Sequence, residues 1–349
     1  MHKFGRLLLP AAIILLIFGI IAGLERGGVL YLNLKLYTNL GNLHYLIFFA
    51  GFFGTLLSVE SAVGQGEKIL FLIPATLIAG LLLYILSGLS FLLIIGSLAF
   101  SVPSFIVFIK RKEYITFVLS CLLFALGTLF YIYDKYYPSA IAYLYFLIFY
   151  ILSERFELAK IVGASKKSFR HFLANEIIVV ILVVFSLFDT TLALRFAGFV
   201  TFLLTLWFVQ NDLARKTVKS REPAKYSAIA MLSGYLWLAI GNLLFIISPS
   251  TFWSEAVHSI TLGFVFSMVF AHAPIIFPNV GRFKFFFSKW LYIPLIILHL
   301  SVILRVSSYF LPTLKPHTLY LNFFAIIFFF SVFILLALRI KRIEDKTTI

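Results

Sequence analysis

Residues 69–110 read ILFLIPATLIAGLLLYILSGLSFLLIIGSLAFSVPSFIVFIK, an apolar tract with no Asp, Glu, Lys or Arg before Lys110. The turn pair Ser87-Gly88 divides it into runs 69–86 and 89–109. Each run has roughly the 20 residues that a helix needs to cross a bilayer. Both are far too long for the strands of a membrane barrel, which take about ten. Backbone N–H and C=O groups find no water in hydrocarbon, so only helices and closed barrels satisfy them there. The tract therefore reads as a helical hairpin through a membrane.

The same pattern extends along the whole chain. Apolar runs bounded by charges and turn residues fall at 7–24, 42–59, 69–86, 89–109, 114–132, 138–153, 174–189, 191–210, 226–248, 254–277, 287–309 and 318–338. Asp189-Thr190 makes a second tight connection, between runs seven and eight. Of the 349 residues 62% are hydrophobic and only 12% charged, with a mean hydropathy of +1.05. A soluble domain carries about a quarter charged residues, so the soluble classes are excluded. Twelve spans use nearly all the chain, which leaves no room for a soluble catalytic domain. The first run follows Lys3 and Arg6 as a signal peptide would. It is about 18 residues long, however, and leads to Glu25 and Arg26 without a clear small-x-small cleavage site, so it is read as the first span. The expected fold is all-α, a single transmembrane domain over 1–349, multi-pass in the cell (inner) membrane with the lipid bilayer as its partner.

The charge balance, +15 from 29 Lys+Arg, follows the alternation of the runs. With both termini placed in the cytoplasm, 23 of the 29 basic residues fall inside. The other six are Arg26, Lys35, Lys135, Arg195, Arg305 and Lys315. This is the positive-inside pattern, and it replaces nucleic acid as the explanation of the charge. The basic loops 154–173 and 211–225 are read as touching anionic headgroups.

No Walker A, dinucleotide fingerprint, HExxH or CxxC motif is present, and the single Cys121, inside an apolar run, reads as packing. Polar side chains inside the runs are then the candidates for function. His2, His171 and His317 fall at interfaces, whereas His44, His258, His272 and His299 lie inside runs. His44 and His258 share a depth near the outer starts of runs two and ten. His299 is deeper, near mid-membrane, and His272, 14 residues past His258, lies about 21 Å further along. Two imidazoles at one depth suit a six-coordinate haem iron, and three at one place suit copper. The alternative is that each hydrogen-bonds a neighbouring helix. Arg305, near the outer end of run eleven, has the forked donors a haem propionate needs, and Arg195 reads as interfacial. Glu60 and Glu154 end runs two and six and are expected to cap them or to pair with loop arginines such as Arg155. No Asp or Glu is expected in mid-span. Pro274 and Pro278 should kink or end run ten, with His272 as the polar neighbour of the carbonyls that Pro274 frees.

The stretches His44-Tyr-Leu-Ile-Phe-Phe-Ala-Gly51-Phe52 and His258-Ser-Ile-Thr-Leu-Gly263-Phe264, the latter reaching Gly281-Arg282, resemble the two histidine motifs of the NnrS family. The chain departs from that pattern at Leu46 and at Asn279-Val280, where the family carries further histidines. The resemblance implies twelve spans, haem and copper binding and a link to the nitric oxide response. A more distant resemblance, to the core subunit of haem-copper oxidases, implies an axial haem pair on helices two and ten. Run six has no His, run seven no His-His pair and run ten no His-x-His, so oxygen reduction is not implied. The expected function is a haem-binding membrane protein in electron transfer or small-gas response, with His44 and His258 as axial ligands, His299 as a further metal ligand and Arg305 on a propionate. A secondary transporter and an assembly factor working with respiratory-chain components are the alternatives.

Overall fold

The computed structural model describes residues 2–32, 34–281 and 285–347. Among them there are helices and no strands. Arg282 and Lys284, both counted on the inside, lie outside the described residues. Among the described residues twelve helices are long and apolar enough to cross a membrane. Spans one to six are Leu8–Arg26, Leu40–Gln65, Lys68–Ser87, Phe91–Lys110, Lys112–Ile132 and Tyr136–Val162. Spans seven to twelve are Lys166–Phe185, Thr190–Asn211, Ala224–Ile247, Trp253–Pro278, Lys289–Ser307 and Pro312–Ala337. The chain is thus a multi-pass helical membrane protein.

The largest departures from the expected boundaries flank one loop. Span six ends at Val162 instead of near residue 153, and span seven begins at Lys166 instead of near residue 174. Charged residues ended the apolar run in the sequence, but a helix tolerates charges once it leaves the hydrocarbon. Lys160 pairs with Glu157 at 2.7 Å across one turn, and Arg155 is buried against Asp212. The shift also moves Glu176 from the edge of its run to the middle of span seven, where it is fully buried. The expectation of no acidic residue in mid-span is therefore corrected.

Spans two, six and ten are the most enclosed, with 72%, 78% and 67% of their apolar windows buried; the other nine lie between 22% and 56%. Two of these three spans carry π-helical stretches, Ile47–Phe53 and Ser259–Phe266, each starting within one turn of a histidine, His44 or His258. Such widened turns are uncommon and occur often at functional sites.

The chain packs as two compact units, residues 1–153 with 176–190 and residues 154–175 with 191–349. In the first, spans three and four form the expected hairpin. Gly88 turns the chain at φ 76°, its N–H bonded to the Tyr84 carbonyl. Behind the turn a Cβ on Gly80 would sit 2.4 Å from the backbone nitrogen of Leu93, so only glycine permits this approach. Span four is interrupted between Ala99 and Val102, with Pro103 opening its second half. In the second unit, the helix Ser267–Gly281 continues through both Pro274 and Pro278 and does not end there. Pro274 frees the carbonyl of Phe270, yet His272 bonds the Met268 carbonyl at 2.8 Å. The expected pairing of His272 with the freed carbonyl is corrected accordingly.

Gly80→Ala is expected to destabilise the hairpin by about 1–3 kcal/mol through overpacking. Gly64→Ala, where an added Cβ meets nothing within 4 Å, should be close to neutral. Thermal midpoints in detergent compare the two, and equal midpoints would contradict the packing argument.

Candidate functional site

In the first unit, His44 is the fifth residue of span two and is partly buried. Its Nδ1 lies 2.7 Å from the carbonyl oxygen of Gly19 on span one. A carbonyl only accepts, so Nδ1 carries the proton and the lone pair of the neutral ring is on Nε2. Span one accommodates the ring because Gly19-Ile-Ile-Ala-Gly23 is a small-xxx-small face, the kind that lets helices approach closely. A Cβ on Gly23 would stand 2.7 Å from His44 Cε1, and one on Gly19 would strike Phe48 at 2.7 Å. Phe48 meets the imidazole edge-on at 5.3 Å between ring centroids.

In the second unit, His258 is the sixth residue of span ten. Its Nδ1 lies 2.6 Å from the carbonyl oxygen of Ser254, one turn back, which again leaves Nε2 with the lone pair. The hydroxyl of Ser254 accepts a hydrogen bond of 3.0 Å from Arg305 Nη2 on span eleven. Ser254 thus links His258 and Arg305. Arg305 is only 5% exposed, and its Nε and Nη1 have no hydrogen-bond partner among the described residues. Glu255 is within electrostatic reach but forms no ion pair with it among those residues.

His299 is placed differently from the expectation. The indole N–H of Trp237 donates to its Nδ1 at 3.0 Å, and its Nε2 lies 2.9 Å from Ser233 Oγ. Indole is donor-only, so His299 carries its proton on Nε2 and gives it to Ser233. Both ring nitrogens are used within the unit, and a metal at His299 would have to displace one partner. In this arrangement His299 forms a bond between spans nine and eleven. Among the described residues no group of three or more His, Cys, Asp or Glu is arranged to hold a metal ion. Arg195 reaches the Ile247 carbonyl at 3.5 Å, His171 and His317 are exposed, and Cys121 is buried 3.6 Å from Ser104 Oγ.

Two polar clusters escaped the sequence reading. In the first unit, Glu176 accepts a 2.9 Å bond from Ser120 Oγ while its second carboxyl oxygen is buried without a partner among the described residues. In the second, Asp212 takes both Nε and Nη2 of Arg155, with Nε at 2.8 Å. It also takes the Tyr235 hydroxyl at 2.7 Å and the Ala214 N–H at 2.6 Å. Arg155 is 3% and Asp212 1% exposed. Arg155 therefore pairs with Asp212, 57 residues away, in the place of Glu60 or Glu154. His272 lies within electrostatic reach of this pair. The sequence signal for Glu176 was its position ten residues into a helix starting at Lys166. No local signal marks Arg155 and Asp212 as partners.

Fold and site together define a helical membrane protein with twelve candidate spans, three carbonyl-anchored histidines and a buried arginine that has no ion pair among the described residues. The chain belongs to the family described as Domain of unknown function (DUF8744), whose model matches residues 6–338. No curated protein and no solved structure matches it.

Asp212→Ala leaves the Arg155 guanidinium buried without its counter-charge, a loss of about 3–5 kcal/mol for comparable pairs. The variant is expected to show a markedly lower thermal midpoint, and Arg155→Met/Asp212→Leu should recover most of the loss. A double variant no better than the single would show that the pair has another role.

Proposed function

We propose that the chain is an integral-membrane haem protein of the NnrS-like type, acting in electron transfer or in the response to nitric oxide or another small gas. His44 and His258 supply the axial imidazoles, and Arg305 holds a propionate. The observation that carries the reading is the anchoring of both imidazoles through Nδ1–H to a backbone carbonyl. Metal-ligating histidines almost always donate their other ring N–H in this way, which fixes the tautomer and raises the basicity of the ligating nitrogen. Arg305 adds the second support, since a buried guanidinium with two nitrogens unbonded among the described residues calls for an anion, and a carboxylate matches its geometry. By the alternation of the spans along the sequence, the starts of spans two and ten are expected on one side of the membrane. With the termini cytoplasmic, as the basic residues indicate, that is the outer face of the cell (inner) membrane. Haem would supply one-electron chemistry at iron; the residues of the chain hold the ring, set its ligand tautomers and balance a carboxylate charge.

One observation favours a second reading. The buried, half-satisfied carboxyl of Glu176 in mid-span is of the kind that proton-coupled transporters use. Substrate uptake into proteoliposomes that is abolished in Glu176→Gln, with no haem in the protein, would support the transporter in place of the haem protein.

Protein purified from a haem-supplied host is expected to show a Soret band with low-spin α and β bands and about one iron per chain. His44→Ala and His258→Ala should each convert the spectrum to high spin or abolish it. Gly23→Ala, which crowds the His44 ring, should shift it while leaving the thermal midpoint within a few degrees. Absence of a Soret band, or a spectrum indifferent to both histidines, overturns the proposal, and copper in the metal analysis without iron does the same.

A further inference from the structure

At the end of span eight a surface cavity of about 380 Å3 is lined by Val162, Gln210, Asn211, Asp212, Arg215, Lys216 and Lys219. The lone carboxylate, Asp212, is already neutralised by Arg155. Arg215, Lys216 and Lys219 have no carboxylate partner among the described residues, so the cavity carries three uncompensated positive charges. Arg215 is held towards it by a 3.1 Å bond from its Nη1 to the Gln210 carbonyl. Such a concentration of cations, with Gln210 and Asn211 as further donors, matches a phosphate group.

The helix leading to the cavity carries an exposed apolar face. Phe196, Phe199, Leu203 and Leu206 are 54%, 50%, 49% and 42% exposed. They recur at intervals of three, four and three residues, and Gln210 follows four residues later, so they form one stripe that ends at the cavity. An amphiphile with two acyl chains along the stripe and an anionic head in the cavity satisfies both halves. A soluble phosphate satisfies only one.

We propose that span eight and the segment after it form a binding site for an anionic glycerophospholipid, with its phosphate held by Arg215, Lys216 and Lys219. The site is separate from the residues assigned to haem and stands without them. The test is thermal stability and native mass spectrometry of the full chain, titrated with phosphatidylglycerol, phosphatidylcholine and soluble glycerol phosphate. The variants are Arg215→Gln/Lys216→Gln/Lys219→Gln and, as a charge-matched control, Lys110→Gln/Arg111→Gln/Lys112→Gln. Phosphatidylglycerol is expected to stabilise the wild-type and control proteins. In the first triple variant its apparent affinity should fall on the order of a hundredfold, the product of roughly fivefold per basic residue near an anionic surface. If that triple variant does not fold, Phe199→Ser/Leu203→Ser should by itself weaken phosphatidylglycerol. Equal losses in both triple variants, no loss in either, or equal protection by glycerol phosphate would each overturn the proposal.

Discussion

Inside a bilayer no water competes for hydrogen bonds, and every polar group must find its partner within the protein. This constraint accounts for the helices, and it also accounts for what the polar side chains do. Ser58, Thr128, Thr205, Ser233 and Ser267 each turn back to the carbonyl one turn earlier in their own helix. Such bonds return the hydroxyl to the backbone without breaking the ladder. They let a chain place many serines and threonines in its interior at small cost.

The histidines obey the same rule with a different consequence. His258 and His272 each bond the carbonyl four residues back through Nδ1, as the serines do. A serine spends its one proton in this way. An imidazole keeps a second nitrogen, and the anchored Nδ1–H puts the lone pair at a defined place on that nitrogen. His44 obtains the same anchor from another helix, because Gly19 and Gly23 bring span one close enough for the Gly19 carbonyl to serve. In His299, Trp237 and Ser233 use both nitrogens, and the ring becomes a strut between two spans. Position within a span does not separate these cases; the identity of the partner does.

This difference explains what was legible in the sequence. The hydrocarbon imposes a length and an apolarity, so the span count and the 69–110 hairpin could be read directly. The end of the hydrocarbon is not the end of a helix, and span six therefore runs on past Glu154 while span seven begins early enough to carry Glu176 into its middle. His44, His258 and Arg305 stood out because membranes reject such residues without a reason. The Gly19-x3-Gly23 face was also visible as a motif, but its meaning depends on the ring that packs on it. The Arg155–Asp212 pair, the bond between Trp237 and His299 and the basic cavity below span eight are long-range products of packing. No local spacing encodes them.

Two buried arginines differ in how the described residues satisfy them. Arg155 and Arg305 are nearly equally buried, at 3% and 5% exposure. Around Arg155 the fold has assembled a carboxylate, and a tyrosine and a backbone N–H complete the shell of that carboxylate. Arg155 is thereby a finished structural element, whose removal would leave a buried charge uncompensated. Arg305 has one hydroxyl acceptor and two nitrogens without partners among the described residues. Taking an ion out of water costs several kcal/mol unless geometry and charge compensate, and the described residues around Arg305 supply one neutral acceptor and the more distant Glu255, with no ion pair. In the proposed reading that compensation is an anion, and the hydroxyl that holds Arg305 belongs to the same residue whose carbonyl orients His258. A ligand that brings both a carboxylate and a metal would satisfy the two groups at once, which is why haem is preferred there to a simple anion.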